Sequence, residues 1–115
     1  MKDQQFNDLC RVAKEITGID VRYTNSRKKE YVQIRCALVN VMRRYYSATT
    51  VQLGRLLDKH HTTIIHHSKD HGSRYRFEHD YASLYDQLVR HAMNQSETIS
   101  VDKMVFLMRS SLSVD

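Results

Sequence analysis

Apolar side chains recur along this chain in steps of three and four, the spacing of helices that bury one face. Phe6, Leu9, Cys10, Ala13 and Ile16 predict an amphipathic helix over roughly residues 4–17, with Gly18 placed to end it. Residues 19–26 read as a connector closing on Ser26, an N-cap residue by type. After Arg27-Lys28-Lys29, the apolar positions Tyr31, Ile34, Leu38, Val41, Met42 and Tyr45 form a broad stripe. They predict a helix to about Tyr46 that serves as the central beam of the core. Arg35, Arg43 and Arg44 fall off that stripe.

Two shorter apolar runs follow, Val51/Leu53/Leu56/Leu57 and Ile64/Ile65, separated by a polar corner at Asp58-Lys59-His60. This is the pattern of two helices joined by a tight turn. The first is capped by Thr49 or Thr50 and ends at Leu57; the second starts near His60 or His61 and fades between Gly72 and Tyr75. Gly54, inside the first, costs about 1 kcal/mol against alanine, which close contact with a neighbouring helix would explain. Asp80 is expected to cap a last core helix carrying Tyr81, Leu84, Tyr85, Leu88 and Ala92. Residues 94–98 read as a linker, and Val101, Met104, Val105, Met108 and Leu112 as a short amphipathic tail helix. No strand alternation is convincing. The expectation is an all-α fold of five or six helices: a compact domain over residues 1–94, then a tail over 95–115 that either folds back or meets a partner.

Composition sharpens this picture. The 115 residues carry 18 Lys and Arg against 13 Asp and Glu, a net charge of +5. The first 75 residues hold 14 basic and 7 acidic side chains, the remainder 4 and 6. Such asymmetry suits one face that meets a polyanion, although a solvated basic surface would look the same. Cys10 and Cys36 lie inside apolar helical patterns without metal-type spacing and read as buried free thiols. No apolar run approaches the ~18 residues of a membrane span, and the first residues have no apolar signal region. The expected setting is cytoplasmic, without a membrane.

The polar corner is where chemistry concentrates. A helix opening on Lys59, His60, His61, Thr62 and Thr63 offers donors, acceptors and methyl groups at the end that enters a DNA major groove in helix-turn-helix proteins. An ordinary polar helix start is the plainer alternative. Arg27, Lys28 and Lys29 are candidates for phosphate contact or simply a solvated charge run; Arg55 and Lys69 are weaker phosphate candidates. The dense histidines invite a metal test, because His67 and His71 stand four residues apart. Neighbouring pairs point around the helix and no cysteine is near, so a surface that charges below pH ~6.5 accounts for them more simply.

Three segments together resemble the C-terminal DNA-binding domain of the bacterial replication initiator DnaA. Leu53 to His66, with Gly54-Arg55, Lys59-His60-His61-Thr62-Thr63 and His66, is similar to that family's I-G-R-x-F-G-(G)-R-D-H-T-T-V-x-H-A. Ile16-Thr17-Gly18-Ile19 resembles its I-T-G-I, and Ser26-Arg27-Lys28-Lys29-Glu30 followed by Arg35 resembles its S-R-K-R-E…A-R-Q. The similarity spans roughly residues 6–93 in the family's order. It implies a Trp-repressor-like helical fold that binds a short double-stranded DNA site. By that resemblance Lys59, His60, His61, Thr62, Thr63 and His66 face the major groove, Arg35 enters the minor groove, and Arg27, Lys28 and Lys29 grip phosphates. A surface ion pair with Glu30 or Asp58 is the alternative for Arg35.

The departures are informative. His60 replaces the family's Asp, so a group that would accept from cytosine gives way to one suited to guanine N7 or a phosphate. Asp58 stands in a shorter turn where glycine is usual. No G-x-x-x-x-G-K-[ST] loop occurs. The expectation is a double-stranded DNA binder without a cofactor or its own ATPase, acting at a replication origin or regulatory site, as in a phage or mobile element. A replication or transcription protein is the partner envisaged for the tail helix. The contrasting expectation is a helical protein-interaction adaptor whose basic face is incidental. No nucleophile elbow or paired-carboxylate cleft is legible, so the chain is not read as an enzyme.

Overall fold

The computed structural model describes residues 2–96, which form five α-helices and no strand. The helices are α1 (Lys2–Thr17), α2 (Lys29–Tyr46), α3 (Thr50–Leu57), α4 (His61–Phe77) and α5 (His79–Ser96), with a 3₁₀ turn at Val21–Tyr23 between α1 and α2. The all-α expectation is met. The expected tail helix lies outside the described residues.

Helix α2 is the beam around which α1, α4 and α5 pack, while α3 rests mainly on α4. Its burial exceeds the sequence stripe: Gln33 to Val39 are all buried, followed by Val41 and Met42. A helix covered on one side only would show three or four buried residues per two turns. Here neighbours cover it almost all round. Phe6, Leu9, Cys10 and Ala13 from α1, Leu53 and Leu57 from α3, Ile64 from α4, and Tyr81, Leu84 and Leu88 from α5 complete one continuous core.

Local chemistry sets where each element ends. Gly18 ends α1 at φ +80°, its N–H bonding Lys14 O at 2.7 Å. At the 3₁₀ turn, Asp20 accepts from Arg22 N and pairs with the Arg22 guanidinium at 2.6 Å. That guanidinium also reaches Asn7 on α1. Ser26 is not the cap of α2; Lys28 holds that position, and Ser26 Oγ accepts from Lys28 N instead. Helix α2 closes on Ser47 in the left-handed region at φ 55°, with Ala48 N bonding Met42 O at 3.2 Å.

Two further boundaries differ from expectation. Helix α4 continues through Gly72 to Phe77, and one residue, Glu78, separates it from α5. Asp80 lies in the first turn of α5 and is not its cap. The break is fixed by Glu78, whose carboxylate accepts from Gln33 Nε2 at 2.7 Å and from Arg74 Nη1 at 3.1 Å. Those bonds hold its carboxyl below the usual range, the Gln33 bond contributing most. Helix α5 extends through Ser96, so the start of the expected linker is helical.

Candidate functional site

Helix α3, a three-residue turn and α4 build the surface that carries most candidate residues. Thr49 caps α3 with a reciprocal box: its hydroxyl accepts from Gln52 N at 3.1 Å, and Gln52 Oε1 accepts from Thr49 N at 2.9 Å. Gly54 then faces the turn. A Cβ there would stand 2.7 Å from Lys59 O and 3.5 Å from His61 N. The absent side chain lets α3 press against the start of α4, and Lys59 N bonds Gly54 O at 2.8 Å. Asp58 makes the corner at φ 54°. Aspartate is among the few residues that tolerate this conformation, which is how it fills a place glycine would suit.

His60 is the N-cap of α4. Its Nδ1 accepts from Thr62 N at 3.2 Å and lies 2.9 Å from Thr62 Oγ1. A neutral ring that accepts at Nδ1 carries its proton on Nε2, so the free edge of His60 presents a donor. His61 is exposed, its ring 4.3 Å from that of His60. Thr62 is exposed and Thr63 half-buried, both on the first turn of α4. His66 and Lys69 continue the exposed face, and Arg55 stands across an open depression shared with Val51, Asp58, Lys59, His60 and His61.

The second basic segment lies beside the first. Lys59 Nζ meets Asn25 Oδ1 at 3.5 Å, joining the turn to a connector 34 residues upstream. Arg27, Lys28 and Lys29, which begin two residues after Asn25, are all exposed. Among the described residues none of Arg27, Lys28, Lys29, Arg55, Lys59 or Lys69 forms an ion pair. A third patch was not singled out from the sequence. Exposed Arg43 donates to Ser68 Oγ of α4 at 2.7 Å, and Arg44 lies beside it, over the Tyr45 ring. Neither Asn25 nor Arg43 has a sequence signal beyond its residue type.

Two expectations are corrected. Arg35 is 4% exposed, and its guanidinium donates to Ser26 O at 2.6 Å and Thr24 O at 2.8 Å. It is neither a surface ion pair nor a group presented to a groove. His67 and His71 are not part of a surface that charges below pH ~6.5, because burial holds both imidazoles below their ordinary value. His67 is buried, with its imidazole pushed down to about 4 chiefly by desolvation. His71 Nδ1 is 2.8 Å from the Tyr81 hydroxyl. That hydroxyl is also 3.5 Å from Cys36 Sγ, which sits 3.3 Å from His67 O. These contacts tie α2, α4 and α5 together. Among the described residues no cluster of three or more His, Cys, Asp or Glu is placed to hold a metal, and no helix is long and apolar enough to cross a membrane.

Comparison with protein-family models, with curated proteins and with solved structures gives no match. The functional reading therefore rests on this surface and on the sequence motifs.

Proposed function

We propose that this chain binds double-stranded DNA through the α3–α4 pair, as a helix-turn-helix module of the kind its motifs resemble. The first turn of α4, from Lys59 to Thr63, enters the major groove, where side-chain donors and acceptors meet base edges. His66 and Lys69 extend the contact along the helix. Arg27, Lys28 and Lys29 grip phosphates to one side, with Arg55 near the turn. The observation that carries this reading is the Lys59–Asn25 contact. It brings two basic segments far apart in sequence onto one surface, whose cations form no ion pair among the described residues. A module without a nucleotide-binding loop acts at a replication origin or regulatory site by occupancy, not by hydrolysis.

The test is selection from a randomised duplex pool at two salt concentrations. Wild type is compared with Lys59→Ala/Thr62→Ala and with Arg27→Ala/Lys28→Ala. The expected result is an enriched motif that the first variant loses. The second variant weakens every sequence alike and flattens the salt dependence by about 0.9 per phosphate contact removed. Absent or salt-insensitive binding would sink the DNA reading and favour a protein-interaction adaptor.

A further inference from the structure

Residues 24–28, Thr-Asn-Ser-Arg-Lys, contribute no apolar side chain to the core. Within this loop, Ser26 N bonds Thr24 Oγ1 at 3.1 Å and Lys28 N bonds Ser26 Oγ at 3.3 Å. Such hydroxyl turns shape a loop locally but do not anchor it. The anchor comes from below, where the Arg35 guanidinium donates to the carbonyls of both Thr24 and Ser26. A cation buried to this degree is tolerated only with its donors satisfied, and charge-assisted bonds to carbonyls are the strong kind. Between those two carbonyls in sequence stands Asn25, whose Oδ1 accepts from Lys59 Nζ at 3.5 Å.

We infer that Arg35 is a positioning residue. From inside the fold it fixes the course of 24–28 and, through Asn25, the aim of Lys59. The two basic segments then present one preformed surface, which lowers the ordering cost of binding. This deepens the DNA-binding reading and rests on it. It places Arg35 behind the interface, not in the minor groove.

Two measurements test it, with circular dichroism first confirming that each variant is folded. The first is amide hydrogen exchange of Arg35→Met without DNA. The amides of Ser26 and Lys28 should lose protection while those of α5 keep theirs; unchanged loop amides would overturn the clamp. The second is binding of a mixed-sequence duplex over a salt series, in a cycle of Arg35→Met with Arg27→Ala/Lys28→Ala/Lys29→Ala. A residue acting through the loop adds almost nothing once the loop cations are gone, and Arg35→Met alone flattens the salt slope by up to about 2 to 3. A residue touching DNA flattens it by about 0.9 in either background, and that additivity would also overturn the proposal. If Arg35→Met does not fold, Arg35→Gln, which keeps an amide donor, and Asn25→Ala, on the exposed loop, replace it in both measurements. Wild type that fails to bind DNA would refute the DNA reading, while the exchange result still decides the clamp.

Discussion

Single residues at the ends of α2 and α3 carry conformations that cost stability. Ser47 and Asp58 both sit at positive φ, 55° and 54°, where a side chain crowds its own backbone. Ser47→Gly should therefore raise stability by about 0.5 to 1 kcal/mol after the entropy of the freer unfolded chain is subtracted. Thermal melting would show a rise of a few degrees. Gly54→Ala should do the reverse. Propensity favours alanine by about 1 kcal/mol, yet its Cβ would stand 2.7 Å from a backbone carbonyl that cannot turn aside as a side chain can. A net loss of about 1 to 3 kcal/mol is expected by denaturant titration and, on the proposed function, weaker DNA binding, because the displaced carbonyl belongs to Lys59. The close approach at Gly54 could be anticipated from the sequence, since a glycine mid-helix needs a reason. The inward turn of Arg35 could not, because periodicity assigns a charged residue off the apolar stripe to solvent. Only the loop folded over it reverses that assignment.

Among the helices, spacing located four of the five closely, and the misjudged boundaries have a common cause. Ser26 and Asp80 are cap residues by type, but neither start is decided by a local cap. Helix α2 starts where the clamped loop releases the chain. The α4–α5 break falls at Glu78, whose partner Gln33 is 45 residues away in sequence. Long-range bonds of this sort leave no trace in a local pattern. Helix α1 shows the same dependence in its docking: its apolar face meets the core, and Asp8 pairs with both His91 of α5 and Arg11. Those partners, the His91 bond foremost, hold the Asp8 carboxyl below the usual range. Asp8→Asn should loosen α1 first, seen as faster exchange of α1 amides at pH 6 with α2 still protected. Equal acceleration in both helices would show that α1 does not move separately.

Acid should reveal the whole molecule's dependence on the α2–α4 contact. Burial pushes the His67 imidazole from 6.5 to about 4, with Arg74 acting in the same direction and Asp70 against it. The native state thus keeps His67 neutral while the unfolded chain protonates it as pH falls below 6.5. Stability conferred above pH 6.5 is lost progressively down to pH 4 and then levels, about 3 kcal/mol in all. His71, whose imidazole burial also pushes down, adds in the same direction. Asp8, Asp20 and Glu78, all held below ordinary values of 3.8 to 4.5, add to the loss only near the acid end of this range and below it. Urea titrations from pH 7 to 4 should show this slope, and His67→Leu should remove most of it. An unchanged slope in that variant would assign the acid sensitivity elsewhere. At this scale the all-α architecture and the α3–α4 pair were legible in the sequence. That the two basic segments share a surface followed there only from the family resemblance, and the Lys59–Asn25 contact that joins them was not legible, because Asn25 is an unremarkable loop residue.

The two cysteines give the folded protein an internal clock. Cys10 lies on the buried face of α1 and Cys36 on α2 against α4 and α5, both free and buried, and desolvation raises both thiols, Cys10 to about 12. A packed thiol of this kind barely reacts, so each should be alkylated only when its own cover opens. The ratio of the two labelling rates then compares the lifetime of α1 on the core with that of the central bundle, in the native sequence and without a probe attached. A Cys10 rate well above that of Cys36 would describe a molecule that sheds its first helix while the central bundle stays assembled.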